Sequence, residues 1–224
     1  MSGLHMVRMV IDPPLLMRFA AGQGLLRIDD DGNGYLVHAW LAALFGSHAP
    51  RPFRVFEKSA EVLGYASVDA ATLLDHASAF SLPHAWEALQ PNSLASKPMP
   101  ATWRAGARLA VEVLACPITR KDGHEKDAFL RALDRSGDEA GSREQVYLDW
   151  FRRQWSDALV FEQASLTGLS RRRMLRRTQA TTEREGRVPR GVERSVAHFH
   201  AVGRVDRAGQ PEAHLFLDAE SRAG

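Results

Sequence analysis

The sequence predicts an α+β fold made of two tandem βαββαβ halves. Three observations predict it. Short stretches alternate apolar and polar residues as strands do, apolar runs of helical length lie between them, and a Pro-, Ser- and Asn-rich connector divides the series in two.

In chain order, residues 4–11 are short and rich in apolar and β-branched types, and predict the first strand. Asp12-Pro13-Pro14 stops it, and a loop is expected to run on through Asp29-Asp30-Asp31-Gly32-Asn33-Gly34. Residues 35–45 predict a helix closed by Gly46. So apolar a run has no clean amphipathic spacing, but Leu41, Leu44 and Phe45 give a core stripe. Residues 52–57 alternate as a half-exposed strand, with 61–67 as its partner. Residues 68–80 predict a second helix, with Asp69 near its start and Leu73, Leu74 and Ala77 inward. From 81 to 100 the composition is that of a connector, so a linker is assigned to 81–106 between a domain at 1–80 and one at 107–224.

The second half opens with a strand at 107–115, clear by alternation. A polar loop follows at 119–126, then helical pattern at 127–133 and 143–158. Residues 164–168 begin another strand leading into a run of arginines, and 195–205 alternate strongly as a strand. Strand–helix–strand–strand–helix followed by strand–helix–strand–strand is most of one βαββαβ unit and much of a second. The expected architecture is two ferredoxin-like (RRM-like) domains.

Bulk properties narrow the function. Of 224 residues, 45% are hydrophobic and 25% charged, which suits a globular chain able to bury a core. The single cysteine, Cys116, cannot form an internal disulfide, so nothing points to an oxidising compartment. In its apolar surroundings (Val113 to Pro117) it is either a nucleophile or a small buried or edge-strand residue. The N-terminus lacks the pattern of a signal peptide, and no stretch approaches the ~20 apolar residues of a membrane span. A cytoplasmic protein with no membrane partner is expected.

Charge is unevenly placed. Residues 171–194 hold nine arginines and three glutamates, a net of +6 in a chain of +2, which leaves −4 elsewhere. A basic patch on a mildly acidic body is the footprint of a polyanion-binding surface; a solvated arginine-rich loop is the other reading.

The chemistry on offer is limited. No Cys/His cluster has metal-site spacing, and the chain has no phosphate-cradling glycine loop and no nucleophile elbow. His198 and His200 share one face of a strand, as a weak metal signal or a plain surface pair. Asp29-Asp30-Asp31 could gather a metal ion or form a solvated turn. What remains is His38, one helical turn after Tyr35 on the same face. An imidazole titrates near neutral pH and suits general acid–base work; the alternative is a histidine that covers the core edge.

The segment Gly34-Tyr35-Leu36-Val37-His38-Ala39-Trp40-Leu41-Ala42-Ala43-Leu44-Phe45 resembles a Tyr-x-x-His helix that ends in a Leu-Phe pair. That helix is typical of the repeat-processing endoribonucleases of the CRISPR subtype I-E Cascade, the CasE/Cse family. Residues 108–120 are similar to that family's strand running into an x-Pro-[Val/Ile]-x-[Arg/Lys] turn, here Cys116-Pro117-Ile118-Thr119-Arg120. Lys126 to Leu130 and Val146 to Trp150 resemble further recurring pieces, in the family's order.

The resemblance implies two tandem ferredoxin-like domains and an endoribonuclease that needs no metal or other cofactor. It would cut the repeat hairpin of precursor crRNA at its 3′ base by attack of the 2′-hydroxyl, and stay bound to the product as a Cascade subunit. CRISPR repeat RNA and other Cascade subunits, the backbone subunit among them, are the implied partners. His38 would be the general acid or base, and Tyr35 would position the scissile phosphate or share the proton work. Arg120 and Lys121 would sit on a turn facing RNA. Arg171, Arg172, Arg173, Arg176 and Arg177 would grip hairpin phosphates.

The family's closing Gly-[Ile/Val]-Gly-Arg-x-x-x-Phe-Gly-x-Gly loop has no counterpart among residues 213–222, and Gly203-Arg204 suits the preceding strand instead. The second domain is therefore expected to be incomplete at its C-terminus. A catalytically inactive, hairpin-binding structural subunit of the same complex stays open as the alternative. So does an unrelated ferredoxin-like domain with a small-molecule or protein partner.

Overall fold

A computed structural model describes residues 3–27, 34–155, 159–176 and 190–206. The chain is α+β and divides into two compact units: Met1–Pro100 with Arg173–Val192, and Ala101–Arg172 with Glu193–Gly224.

The first unit is built on a four-stranded sheet. β1 (His5–Val10) lies between β3 (Glu61–Ala66) and β4 (Ala95–Pro98), and β2 (Phe53–Phe56) flanks β3, giving the order β2-β3-β1-β4. Each pairing is antiparallel. This is the sheet order of a ferredoxin-like βαββαβ unit. Successive residues of these strands face opposite sides: Val7 and Met9 are buried while Arg8 is exposed, and Val62 and Ala66 are buried while Leu63 and Tyr65 are half-exposed. On the buried face Val7 stands beside Gly64 and Met9 beside Val62.

Four helices cover that face: α1 (Pro13–Gly22), α2 (Gly34–Phe45), α3 (Ala70–Phe80) and α4 (Pro83–Glu87). The first corrects the loop expected after β1. Asp12 both ends the strand and caps α1, its carboxylate accepting from the Leu15 N–H at 3.1 Å, and the two prolines fill the first helical positions, where no N–H is needed. Gly46, at φ +54°, ends α2 as expected. Asp69 caps α3 through the Thr72 N–H at 2.9 Å. The 81–106 connector holds more structure than its composition suggests. It contains α4 and then β4, whose polar residues pair with β1 through the main chain.

The second unit runs β5 (Arg108–Ala115), β6 (Ile118–Lys121), β7 (His124–Asp127), α5 (Ala128–Ser136), α6 (Arg143–Arg152), β8 (Leu159–Arg176) and β9 (Arg190–Val205). β9 sits between β5 and β8, the order of the first three strands of a second βαββαβ series. The core lies between sheet and helices. Phe151 of α6 stacks on Phe199 of β9 at 4.7 Å and meets Phe161 of β8 at 5.3 Å. Trp150 donates its indole N–H to the Ile118 carbonyl at 2.8 Å, fastening α6 to β6. The polar loop expected at 119–126 is instead the hairpin β6–β7. Residues 207–224, where the C-terminal incompleteness was expected, lie outside the described residues.

Gly64 is the tightest point of the first sheet: a Cβ there would lie 2.8 Å from Pro50 Cβ and 3.1 Å from Phe53 Cβ. Gly64→Ala is expected to cost about 1–3 kcal/mol through overpacking. The measurement is a lowered denaturant midpoint at unchanged slope.

Candidate functional site

The apolar run of α2 resolves into a stripe once packed. Leu36, Val37, Trp40, Leu41, Leu44 and Phe45 are buried, following the i, i+4 rows of a helix. The Trp40 indole N–H donates to the Ala85 carbonyl at 2.9 Å inside the core, which sets the rotation of α2 about its own axis. Tyr35 and His38 therefore flank the stripe. Each is half-buried, and neither belongs to the core cluster. The carboxylates at 29–31 lie outside the described residues.

Arg120 and Lys121 are exposed at the end of β6, where the hairpin turns. Asp122 (φ +52°) and Gly123 (φ +74°) both take the left-handed conformation, the backbone of a type I′ turn. Behind the turn, Glu125 is half-buried: one carboxylate oxygen accepts from Arg120 (Nε 3.1 Å, Nη2 2.9 Å) and the other from Arg194 of β9 (Nη2 2.9 Å). Asp127, two residues on, caps α5 through the Phe129 N–H at 2.8 Å and accepts from the Tyr147 hydroxyl at 2.6 Å. Burial, then the Asp127 hydrogen bond, pushes the Tyr147 hydroxyl up from its ordinary pKa. Burial likewise pushes the Cys116 thiol up, with Arg194 opposing. A thiol so shifted is protonated at neutral pH, which fits a packed residue rather than a nucleophile.

The arginine run is strand, not loop, as far as it is described. β8 carries Arg171, Arg172 and Arg173 and ends at Arg176; Arg177 lies outside the described residues. Ser165 Oγ donates to the His200 carbonyl at 3.3 Å and Thr167 Oγ1 to the His198 carbonyl at 3.2 Å. The contacts climb one strand as they descend the other, so β8 and β9 are antiparallel. Arg171 projects into solvent, its side chain 81% exposed, 4.0 Å from Glu193.

Farther down the sheet the charges are paired. Glu162 bridges Arg108 and Arg204, and these arginines, Arg204 foremost, hold its carboxyl below the usual range. His198 lies 2.7 Å from Glu112, and His200 is exposed. Among the described residues, no group of three or more His, Cys, Asp or Glu side chains could hold a metal ion.

The structure thus joins Tyr35 to His38 on one turn of α2, and Arg120 to Lys121 on one hairpin. Tyr35 and His38 belong to the first unit. Arg120, Lys121, Arg171 and Arg172 belong to the second, while Arg173 and Arg176 fall with the first. Sequence reasoning counted Arg194 in the basic segment but did not foresee its pairing with Glu125. The Asp122-Gly123 pair was the available signal, because that dipeptide marks a tight hairpin and places residues 120 and 125 opposite each other.

The model of the CRISPR associated protein family matches residues 4–215. Among solved structures, the chain is similar to CRISPR endoribonuclease Cse3 bound to a 19-nucleotide RNA, at 12% identity and TM-score 0.55, over 92% of this chain and 87% of that one. It is also similar to Thermus thermophilus Cse3 bound to an RNA representing a pre-cleavage complex, at 13% identity and TM-score 0.50, over 91% and 86% of the two chains. At such identities the likeness is one of fold. No curated protein matches the chain. No helix among the described residues is long and apolar enough to cross a membrane. The family match begins one residue before the first strand and extends beyond the last described one: the chain belongs to the CRISPR associated protein family and shares its fold with Cse3.

Proposed function

We propose that this chain is a metal-independent endoribonuclease. It binds the repeat hairpin of precursor crRNA, cleaves at the hairpin's 3′ base, and stays on the product as a Cascade subunit beside the backbone subunit. The observation that carries the reading is the placement of Tyr35 and His38, one turn apart on α2 and outside the core stripe. The RNA-bound Cse3 structures that share the fold support an RNA substrate.

RNA supplies its own nucleophile. The 2′-oxygen bonds to the adjacent phosphorus while the bond from phosphorus to the 5′-oxygen breaks. One proton leaves the 2′-hydroxyl for a base, and one reaches the departing oxygen from an acid. The ends are a 2′,3′-cyclic phosphate and a 5′-hydroxyl. The His38 imidazole can take either role near neutral pH. Tyr35 holds the scissile phosphate through its hydroxyl or shares the proton transfer. The arginines of β8 contact phosphates, since double-stranded RNA is recognised mainly through shape and backbone, and a guanidinium offers a fork to phosphate oxygens.

Purified protein incubated with labelled repeat RNA in excess EDTA tests this. Wild type is expected to cut, and a 2′-deoxy group at the scissile position to block cutting. His38→Ala is expected to slow cleavage by about 10²–10⁴-fold while hairpin affinity stays within a few-fold. Tight binding by wild type with no product would replace the enzyme with a non-catalytic hairpin cap. Independently, replacing Arg172, Arg173 and Arg176 by Ala should flatten the dependence of log affinity on log salt by about two to three, one phosphate contact each. An unchanged slope would remove β8 from the interface.

A further inference from the structure

We propose that Arg108 and Arg204 form a second RNA-contacting site, at the end of the β5-β9-β8 sheet away from the arginine run, where Glu162 holds the two guanidinium groups side by side for successive phosphates. The proposal rests on the RNA-binding reading above and extends the bound RNA along β8.

Two like charges stand opposite each other at this end of the sheet. Arg108 of β5 and Arg204 of β9 are direct partners in the antiparallel pairing, an arrangement that repels. Glu162 of β8 answers both: one carboxylate oxygen accepts from Arg108 Nε at 3.0 Å and the other from Arg204 Nε. One carboxylate against two arginines leaves a charge of +1. Among the described residues, no second carboxylate pairs with either arginine.

Both arginines meet Glu162 through Nε, and their side chains stay 62% and 63% exposed. The Nη groups, which carry the donors of the fork, remain for a ligand among the described residues. Two forks one strand spacing apart suit neighbouring phosphates of a chain, since a guanidinium matches phosphate oxygens in pairs.

The backbone is shaped to bring the three groups together. Phe161 and Ala164 both pack on the core although they are three apart, so β8 bulges between them and exposes Glu162 and Gln163 in succession. Gly203 lets β8 press close beside Arg204: a Cβ there would lie 2.8 Å from the Val160 carbonyl oxygen.

The site shares a face with Arg171. Ala164 and Leu166 point to the core, so Ser165, Thr167, Leu169 and Arg171 take the other side, onto which Glu162 also opens. From Glu162 to Arg171 the strand advances on the order of 30 Å. Between the two ends, the Glu112 carboxylate lies 2.7 Å from His198. A single ligand that meets both ends is a long polyanion, which RNA is and a free nucleotide is not.

Binding of a labelled repeat RNA, read by anisotropy across a salt series, tests the site. Arg108→Gln and Arg204→Gln keep the stem and drop the charge. Each is expected to flatten the dependence of log affinity on log salt by about one, and the double variant by about two. Arg108→Lys and Arg204→Lys keep the charge without the fork, and are expected to hold the wild-type slope while binding several-fold more weakly. A role confined to fastening strands gives another result: wild-type slopes in the Gln variants, with only the unfolding midpoint lowered. That result would overturn the assignment, as would Lys variants whose slopes fall as far as those of the Gln variants. A slope that responds to Arg172, Arg173 and Arg176 but not to Arg108 and Arg204 removes this site alone. If wild type binds no repeat RNA, the RNA-binding reading itself fails and the site with it.

Discussion

The burial of Trp40 governs the first unit. Its ring is fully buried, and its N–H, which would cost about 1–3 kcal/mol if left without an acceptor there, meets the carbonyl of Ala85. Ala85 and Ala88 are themselves buried with minimal side chains, so α4 can approach closely enough to accept it. That single contact fixes how α2 is turned. Rotating the helix by one residue, roughly 100°, would carry the polar side chains at 35 and 38 toward the core and expose leucines. The pairing of a phenol with an imidazole on the open flank is thus a consequence of core packing.

The second unit adds polar fastenings to its aromatic core. Glu125 and Asp127 lie two apart on β7, hence on one face, and both are satisfied by residues far along the chain. Asp127 organises α5 and the buried Tyr147, and Glu125 joins the hairpin to β9. Exposed pairs such as Arg8 with Glu61 are screened and contribute little by comparison. The strand conformation of the arginine run matters for the same reason. Neighbouring residues point to opposite faces and same-face residues stand about 7 Å apart, so like charges are spread along the strand and a polyanion is their natural counter-charge.

Much of this was legible beforehand. The strands at β1, β2, β3, β5 and β9, Asp69 near the start of α3, the glycine that closes α2 and the helical spacing of Tyr35 and His38 are local patterns, and the structure contains each of them. Three elements hid. Asp12-Pro13-Pro14 reads as a strand stop, and the same residues also begin α1. β4 shows no apolar alternation, because it joins the sheet by main-chain pairing with its side chains largely exposed. β6 and β7 are polar for a related reason: the two-stranded hairpin has only part of its surface against the core, and Asp122-Gly123 was its one mark.

By itself the sequence determined which segments alternate, where the helix bearing Tyr35 and His38 begins and ends, and how much positive charge gathers between residues 171 and 194. These depend on neighbours within a turn or a strand, which a linear pattern records. Tertiary structure alone decided that Glu125 would hold Arg194, 69 residues away, together with Arg120 across the hairpin. A carboxylate largely withdrawn from water is stabilised by pairing, but which arginine reaches it is settled by how β6, β7 and β9 pack, and no local spacing encodes that choice.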